Sequence, residues 1–358
     1  MSEIIEGGYD IKKELEDLIL TNRAKIKVVG AGGAGCNTIN RMMEIGIKGA
    51  ELIAVNTDAY DLLYKSAEKK ILIGKELTKG WGAGSDPAIG EAAAKEQEQE
   101  IKQALQGADM VFICGGLGGG TGTGSMPVIA QISKKIGALT IAVVTLPFSN
   151  EGESKMRIAL EGAEKLKEVV DTLILIPNDK LLAIAPDLPL NVAFKVSDDV
   201  LINAVKGITE LVTTGGLIHV DFGDIKRLMT NSGIAMISTA ETDSKENKTA
   251  KLTEKLLNNP LLDVDISTAK GVLLNVSCGP DLTLKELNEI VESITSHLPK
   301  DALIKVGAKQ YADLKDVVRV LAVFTGVKSK QISGRIMKEN SLEKKKEEVE
   351  KNLGIKFI

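Results

Sequence analysis

The chain has 358 residues, 44% of them hydrophobic and 26% charged, with a formal net charge of −4. That length suggests two domains with sizeable cores, while the mild acidity and an aromatic content of only 3% argue against a surface that grips nucleic acid. No uncharged apolar run is long enough to insert in a bilayer, and the first 20 residues lack the basic start of a signal peptide, so a cytoplasmic location is expected.

Residues 1–24 read as a helical extension, because "IKKELEDLIL" repeats its apolar residues at helical spacing. Strands and helices then alternate. "KIKVVG" reads as a buried strand, "NTINRMMEIG" as a helix stopped at Gly46, and "AELIAVNTD" as a strand. "PAIGEAAAKEQEQEIKQAL" reads as one helix, with Pro87 in its first turn. "ADMVFICGG" is a strand that runs into the densest glycine stretch of the chain. "PVIAQISKKIG", "LTIAVVTLPF", "EGESKMRIALEGAEKLKEVV" and "DTLILIPND" continue as helix, strand, helix, strand. Wholly apolar strands in this rhythm predict an α/β, Rossmann-like parallel sheet with helices on both faces. Its ligand should lie beyond the carboxyl ends of the strands.

"SDDVLINAVKGITELVT" predicts a long central helix, apolar enough to be buried between layers and ended by Gly215–Gly216. Beyond about 225 strands outnumber helices. "KGVLLNVSCG", "ALIKVGAKQY" and "DVVRVLAVFTG" are strands, and "TLKELNEIVESITSHL" is a helix opened by a Thr283/Glu286 capping box. The domain reading is therefore an N-terminal extension (1–24), a nucleotide-binding domain (25–197), a central helix with its following loop (198–224), a smaller α+β C-terminal domain (225–328) and a tail (329–358). The tail ends in "LGIKFI", which is either a docking peptide for a partner groove or an end packed on its own domain. Cys36, Cys114 and Cys278 lack metal-ligand spacing and read as small core residues of a reducing compartment.

Two glycine loops carry the chemistry. Gly30, Gly32 and Gly35 spell G-x-G-x-x-G between a strand and a helix, and Asp58 stands where an NAD-binding acid would sit. Alone, that motif suits an oxidoreductase. "GGLGGGTGTGS" (115–125) repeats the strand–glycine–helix arrangement, and two sets of backbone N–H groups suit a chain of phosphates better than one pyrophosphate. Thr121 and Thr123 would add hydroxyl donors. There is no G-x-x-x-x-G-K-[ST], so the phosphates must be held mainly by backbone amides.

"GGGTGTGS" looks like the signature of the tubulin/FtsZ family. "GAGGAGCN", "NTD", "GWGAGSDP", "PFSNEG", "IPNDKLL" and "VDFGD" follow the family's order over roughly 25–328. The resemblance implies a cytoskeletal GTPase of the prokaryotic division ring, at mid-cell, which binds GTP/GDP, polymerises head to tail and hydrolyses GTP on assembly. Mg²⁺ would be held through the phosphates rather than by protein ligands. It places Gly33, Ala34, Gly35, Cys36 and Asn37 around the α and β phosphates, with Asn56 and Asp58 of the NTD motif also at the nucleotide. Gly118, Gly119, Gly120, Thr121, Gly122, Thr123 and Gly124 form the second phosphate loop. Ala83 and Gly84 would approach the γ-phosphate, Glu151 the ribose, and Asn178 and Phe194 the guanine. The partners implied are other copies of the chain and, through the tail, a membrane anchor or division regulators.

Asp198 matches the family's base-reading carboxylate. An ionised carboxylate only accepts hydrogen bonds, and guanine presents N1–H and N2–H₂ side by side where adenine presents an acceptor, so it would select GTP over ATP. Its other reading is the N-cap of the central helix. Asp221 and Asp224, with His219, match the family's catalytic loop; a helix N-terminus is again the alternative. If Asp198 touches the base, about 22 Å of helix separates it from Asp221. The two aspartates would then act on the nucleotide of a neighbouring subunit. His219 stands where the family usually has Asn, and Lys155 where Arg is usual. Both departures keep open a filament former that binds GTP without hydrolysing it.

Overall fold

The computed structural model describes residues 24–180, 190–244, 246–261 and 264–328, with the side chains of 190–194 outside it. The expected extension before 24 and the tail at 329–358 lie outside the described residues.

A parallel sheet in the order β3-β2-β1-β4-β5-β6 occupies the first half of the chain. Its strands are β1 (Ile26–Ala31), β2 (Ala50–Asn56), β3 (Lys69–Leu72), β4 (Met110–Gly116), β5 (Leu139–Leu146) and β6 (Thr172–Pro177). All eight residues of β5 are buried. Each of its valine, leucine and isoleucine side chains contributes roughly 1.5–3 kcal/mol by leaving water, which is why these runs are apolar without alternation. The order reverses between β1 and β4, and that switch point opens a crevice above the strand ends.

Helices cover both faces. α1 (Gly32–Ile45), α7 (Leu190–Thr213) and α8 (Phe222–Met229) pack on one side, around Ile39, Phe112, Ile208 and Met229. α3 (Pro87–Glu96), α4 (Glu98–Leu105), α5 (Gly120–Lys135) and α6 (Glu153–Val169) pack on the other, around Ile101, Ile129 and Leu166. The short α2 (Ala59–Tyr64) lies between β2 and β3 in the chain.

The C-terminal part does not form a separate sheet. β7 (Gly233–Thr242) pairs parallel with β6, and β10 (Val318–Thr325), β8 (Gly271–Cys278) and β9 (Leu303–Gln310) extend the sheet to ten strands. α9 (Lys248–Leu257) and α10 (Leu284–Thr295) cover one face, and α10 carries the expected capping box between Thr283 and Glu286. α7 ties the two halves together. Asn275 Nδ2 donates to the Gly207 carbonyl (3.0 Å), and Tyr311 Oη donates to Glu210 Oε2 (3.2 Å).

Several elements depart from the sequence reading. The helix expected over 87–105 breaks at Gln97, whose side chain leaves helical duty to accept from Gly74 N–H. Glu96 accepts from Glu76 N–H (3.0 Å) and Leu77 N–H (3.2 Å), and the Glu76 bond holds its carboxyl below the usual range. The central helix starts at Leu190, eight residues before Asp198, so the N-cap reading of Asp198 does not hold. β3, β7, α2 and α9 were not anticipated. All three cysteines are buried and free, and burial pushes the Cys36 and Cys114 thiols up to about 12.

A candidate nucleotide site at the switch point of the sheet

α1 and α5 begin side by side at the switch point, where an ideal Cβ on Gly32 would lie 2.8 Å from Gly122 N. Neither N-terminus has a side-chain cap or an acid in its first turn. The amides of Gly32, Gly33, Ala34 and of Gly120, Thr121, Gly122 therefore have no intrahelical partner, and both dipoles point their positive ends into the crevice.

The glycines serve two purposes. Gly33 is exposed, and a Cβ on Gly119 would meet nothing within 4 Å. Others are demanded by packing. A Cβ on Gly30 would lie 2.2 Å from Gly35 O, on Gly35 2.6 Å from Cys114 O, and on Gly124 2.0 Å from Pro87 O. The run 120–124 is not a loop but the first turns of α5, pressed against α3 and the turn before it. Thr123 is turned inward, where its hydroxyl oxygen accepts from Gly118 N–H (2.9 Å). Thr121 Oγ1 pairs with Thr57 Oγ1 at 2.6 Å. The Cys36 side chain points into the core, and its amide lies inside the helical ladder of α1.

Beside these termini, Ala34, Asn37, Glu151, Lys155, Asn178 and Asp198 line one cleft of about 150 Å³, together with Gly116, Leu117, Thr145, Pro147, Ser197 and Leu201. Glu151 Oε1 accepts from Phe148 N–H (2.8 Å), and Oε2 pairs with Lys155 Nζ (2.5 Å). Ser197 Oγ donates to Asn178 Oδ1 (2.9 Å). Thr38, which the sequence did not single out, faces Asp198 Oδ1 and the Ala34 carbonyl, each at 3.1 Å. Burial raises the Asp198 carboxyl to about 6, against the Thr38 hydrogen bond that lowers it.

The remaining expected residues surround this cleft. Asn56 holds the turn after β2, with Nδ2 on Asp61 (2.9 Å) and Oδ1 on Thr57 N–H (2.9 Å), and Asp58 caps α2. Both thus have structural work of their own, and Asp58 loses its place in a dinucleotide reading. Ala83 is buried against Gly120, while Gly84 is exposed. Their loop holds Lys79 at φ 52° and Ser85 at φ 64°, left-handed conformations that cost about 1–2 kcal/mol each. Phe194 lies among the residues whose side chains are not described.

Asp221, Asp224 and His219 are not among the lining of that cleft. Thr213, at the end of α7, packs against Gly49, just before β2 starts. Thr172, the first residue of β6, donates to the Met229 carbonyl at the end of α8 (2.6 Å). The loop between α7 and α8 therefore belongs to the amino-end pole of the sheet. Asp221 caps α8, accepting from Asp224 N–H (2.7 Å), so the helix-terminus reading is correct for it. Asp224 pairs with Lys305 Nζ of β9 (2.5 Å), a contact no local pattern could have signalled. Both His219 and Asp221 are exposed.

The comparisons agree with this fold. Residues 25–186 match the model of the tubulin/FtsZ family GTPase domain, and 233–328 that of the FtsZ family C-terminal domain. The chain is 56% identical over 320 residues to cell division protein FtsZ 1 of Thermococcus kodakarensis, covering 89% of this chain and 85% of that protein. It is likewise 56% identical over 318 residues to cell division protein FtsZ 1 of Methanocaldococcus jannaschii, covering 89% and 87%. An empty FtsZ dimer from M. jannaschii superposes with a TM-score of 0.84, over 88% of this chain and 92% of that one. CetZ2 of Haloferax volcanii, in a GTPγS-bound protofilament, shares the fold at 20% identity and a TM-score of 0.75, over 90% and 99% of the two chains. Two family models in register and relatives of this identity over most of the chain leave one conclusion: the protein is a member of the tubulin/FtsZ family of GTPases.

Proposed function

We propose that each subunit holds GTP at the switch point and that the next subunit in a filament completes the hydrolytic centre with Asp221 and Asp224. The chain is a tubulin-like GTPase that forms filaments and serves cell division. The dehydrogenase and the non-hydrolysing filament former are not favoured. Two uncapped helix ends exceed what one pyrophosphate needs, and both carboxylates of the loop are in place.

In this reading the amides of α1 and α5 cradle the phosphates, and Asp198 selects guanine by accepting from N1–H and N2–H₂. Glu151 takes the ribose. Gly84 and the strained loop before α3 approach the γ-phosphate. Mg²⁺ would be carried on the phosphates and its own waters. Such an ion would neutralise the β and γ oxygens. Asp221 and Asp224 of the neighbour orient the attacking water, and one accepts its proton; phosphoryl transfer asks for little more than positioning and charge stabilisation.

The observation that carries the proposal is the polar separation of the cleft from the aspartates. A contact that joins unlike poles is heterologous and builds an open filament unless a rotation closes it. Exposed apolar residues support it, with Tyr60, Leu63 and Tyr64 on α2, Trp81 in the loop before α3, and Leu217 and Ile218 in the loop before α8. Recruitment at mid-cell through the tail belongs to the same proposal. Phosphate release per subunit, measured against protein concentration, tests it. A threshold concentration is expected; a rate per subunit independent of concentration would place a complete centre in each monomer and end the reading.

A further inference from the structure

We propose that Lys305 is a positioning residue for Asp224, so that the C-terminal sheet supplies part of the centre that meets the neighbour's nucleotide. This rests on the trans arrangement proposed above. Lys305 lies on β9, and its Nζ is 2.5 Å from Asp224 Oδ1, with the two side chains 25% and 31% exposed. Asp224 is the third residue of α8, where an acid commonly turns back to the cap amide, as Glu286 does in α10. Here the cap carboxylate of Asp221 takes the Asp224 N–H, and the Asp224 carboxylate is drawn to the strand instead.

The loop is fixed to that same strand. Ile218 and Ala308 exchange two backbone hydrogen bonds of 3.1 Å, a Cβ on Gly216 would lie 2.5 Å from Ala308 O, and Val220 is buried. Backbone of the loop and carboxylate of Asp224 are thus referenced to one rigid element. The ammonium also offsets one of two negative charges that must approach a triphosphate, a repulsion that grows as water is excluded.

Lys305→Met keeps the length of the side chain and removes the charge. With this variant, GTP binding and assembly on a slowly hydrolysed GTP analogue should remain within about twofold of wild type. Turnover per assembled subunit should fall about 10- to 100-fold, the cost of a misplaced catalytic group. Lys305→Arg should restore turnover to within about threefold. Wild-type turnover in Lys305→Met overturns the proposal. So does loss of assembly on the analogue with an unchanged melting temperature, which would make Lys305 part of the contact surface. If Lys305→Met does not fold, Lys305→Arg against Lys305→Gln decides in the same assay, and equal turnover refutes it. Failure of the trans reading is distinguishable, since Asp224→Ala would then keep its turnover.

Discussion

At the carboxyl ends of the strands the charge-bearing groups are mostly backbone amides, Gly32–Ala34 and Gly120–Gly122, aimed by contacts that leave glycine positions no room for a Cβ. At the amino ends they are side chains, Asp221, Asp224 and Lys305, held by one helix cap and one ion pair. The difference lies in what each substitution breaks. Amide donors cannot be deleted singly, and disturbing them disturbs the core. Carboxylates can be deleted with the fold intact, because a partly exposed ion pair contributes about 1 kcal/mol or less and a helix cap about 0.5–2 kcal/mol.

The sharpest test of that contrast is Asp224→Ala. GTP binding and thermal stability should persist, while turnover in the polymer falls by about 10²–10⁴-fold, the usual contribution of a positioned base. Normal turnover would remove the amino-end pole from the chemistry.

Gly124→Ala is the counterpart at the other pole. Its Cβ would meet Pro87 O at 2.0 Å and Glu91 N at 2.6 Å, both backbone atoms. A loss of about 3 kcal/mol in urea unfolding is expected, the upper range for overpacking. Gly119→Ala, with open space around it, should lose less than about 1 kcal/mol. Equal losses would mean that the glycines are not packing devices.

Asp198 is the exception at its pole, a side chain that the proposed reading of guanine would use. Its folded pKa is raised from 3.8 to about 6. A raised carboxyl favours the folded state while protonated, so its contribution is present below about pH 4 and is lost as pH rises through about 6. Above that, the free protein bears the cost of a half-buried anion, on the order of 1–2 kcal/mol after allowing for solvent screening. Asp198→Asn should therefore melt higher than wild type at pH 7.5 in the absence of nucleotide, yet lose its preference for GTP over ATP. GTP affinity of the wild type should weaken between pH 7 and 5; a flat profile would show that the carboxylate does not read the base.

The smallest signal concerns Trp81, the sole tryptophan, 89% exposed next to the loop of Gly82–Gly84. Its emission should shift to the blue on GTP-driven assembly, as the apolar surface around Tyr60 and Tyr64 is covered. An emission unchanged between monomer and polymer would take that surface out of the contact.

Much of the nucleotide pole was legible because its signals are local. A glycine directly after an apolar strand, an Asp or Thr before a helix, and Gly46 closing α1 at φ 73° each report on a few neighbouring bonds. The break at Gln97 was not legible, because its cause is the amide of Gly74, 23 residues away. The inward turn of Thr123 was missed for a similar reason. A threonine among glycines gives no sign that the buried Gly118 amide donates to its oxygen. The Phe194 side chain and the tail stand outside what the structure describes, and their expectations remain as stated.

The sequence by itself determined the alternation of strands and helices, the two glycine-opened helices and the carboxylates of the proposed chemistry, since periodicity, caps and residue type act over single turns. Only the tertiary structure decided that α1 and α5 start in contact, that the second half continues the first sheet through β6 and β7, and that Asp224 answers to Lys305 on the far strand. Those are contacts between segments tens of residues apart. The free energy that selects them comes from packing whole elements against one another, which no window of sequence contains.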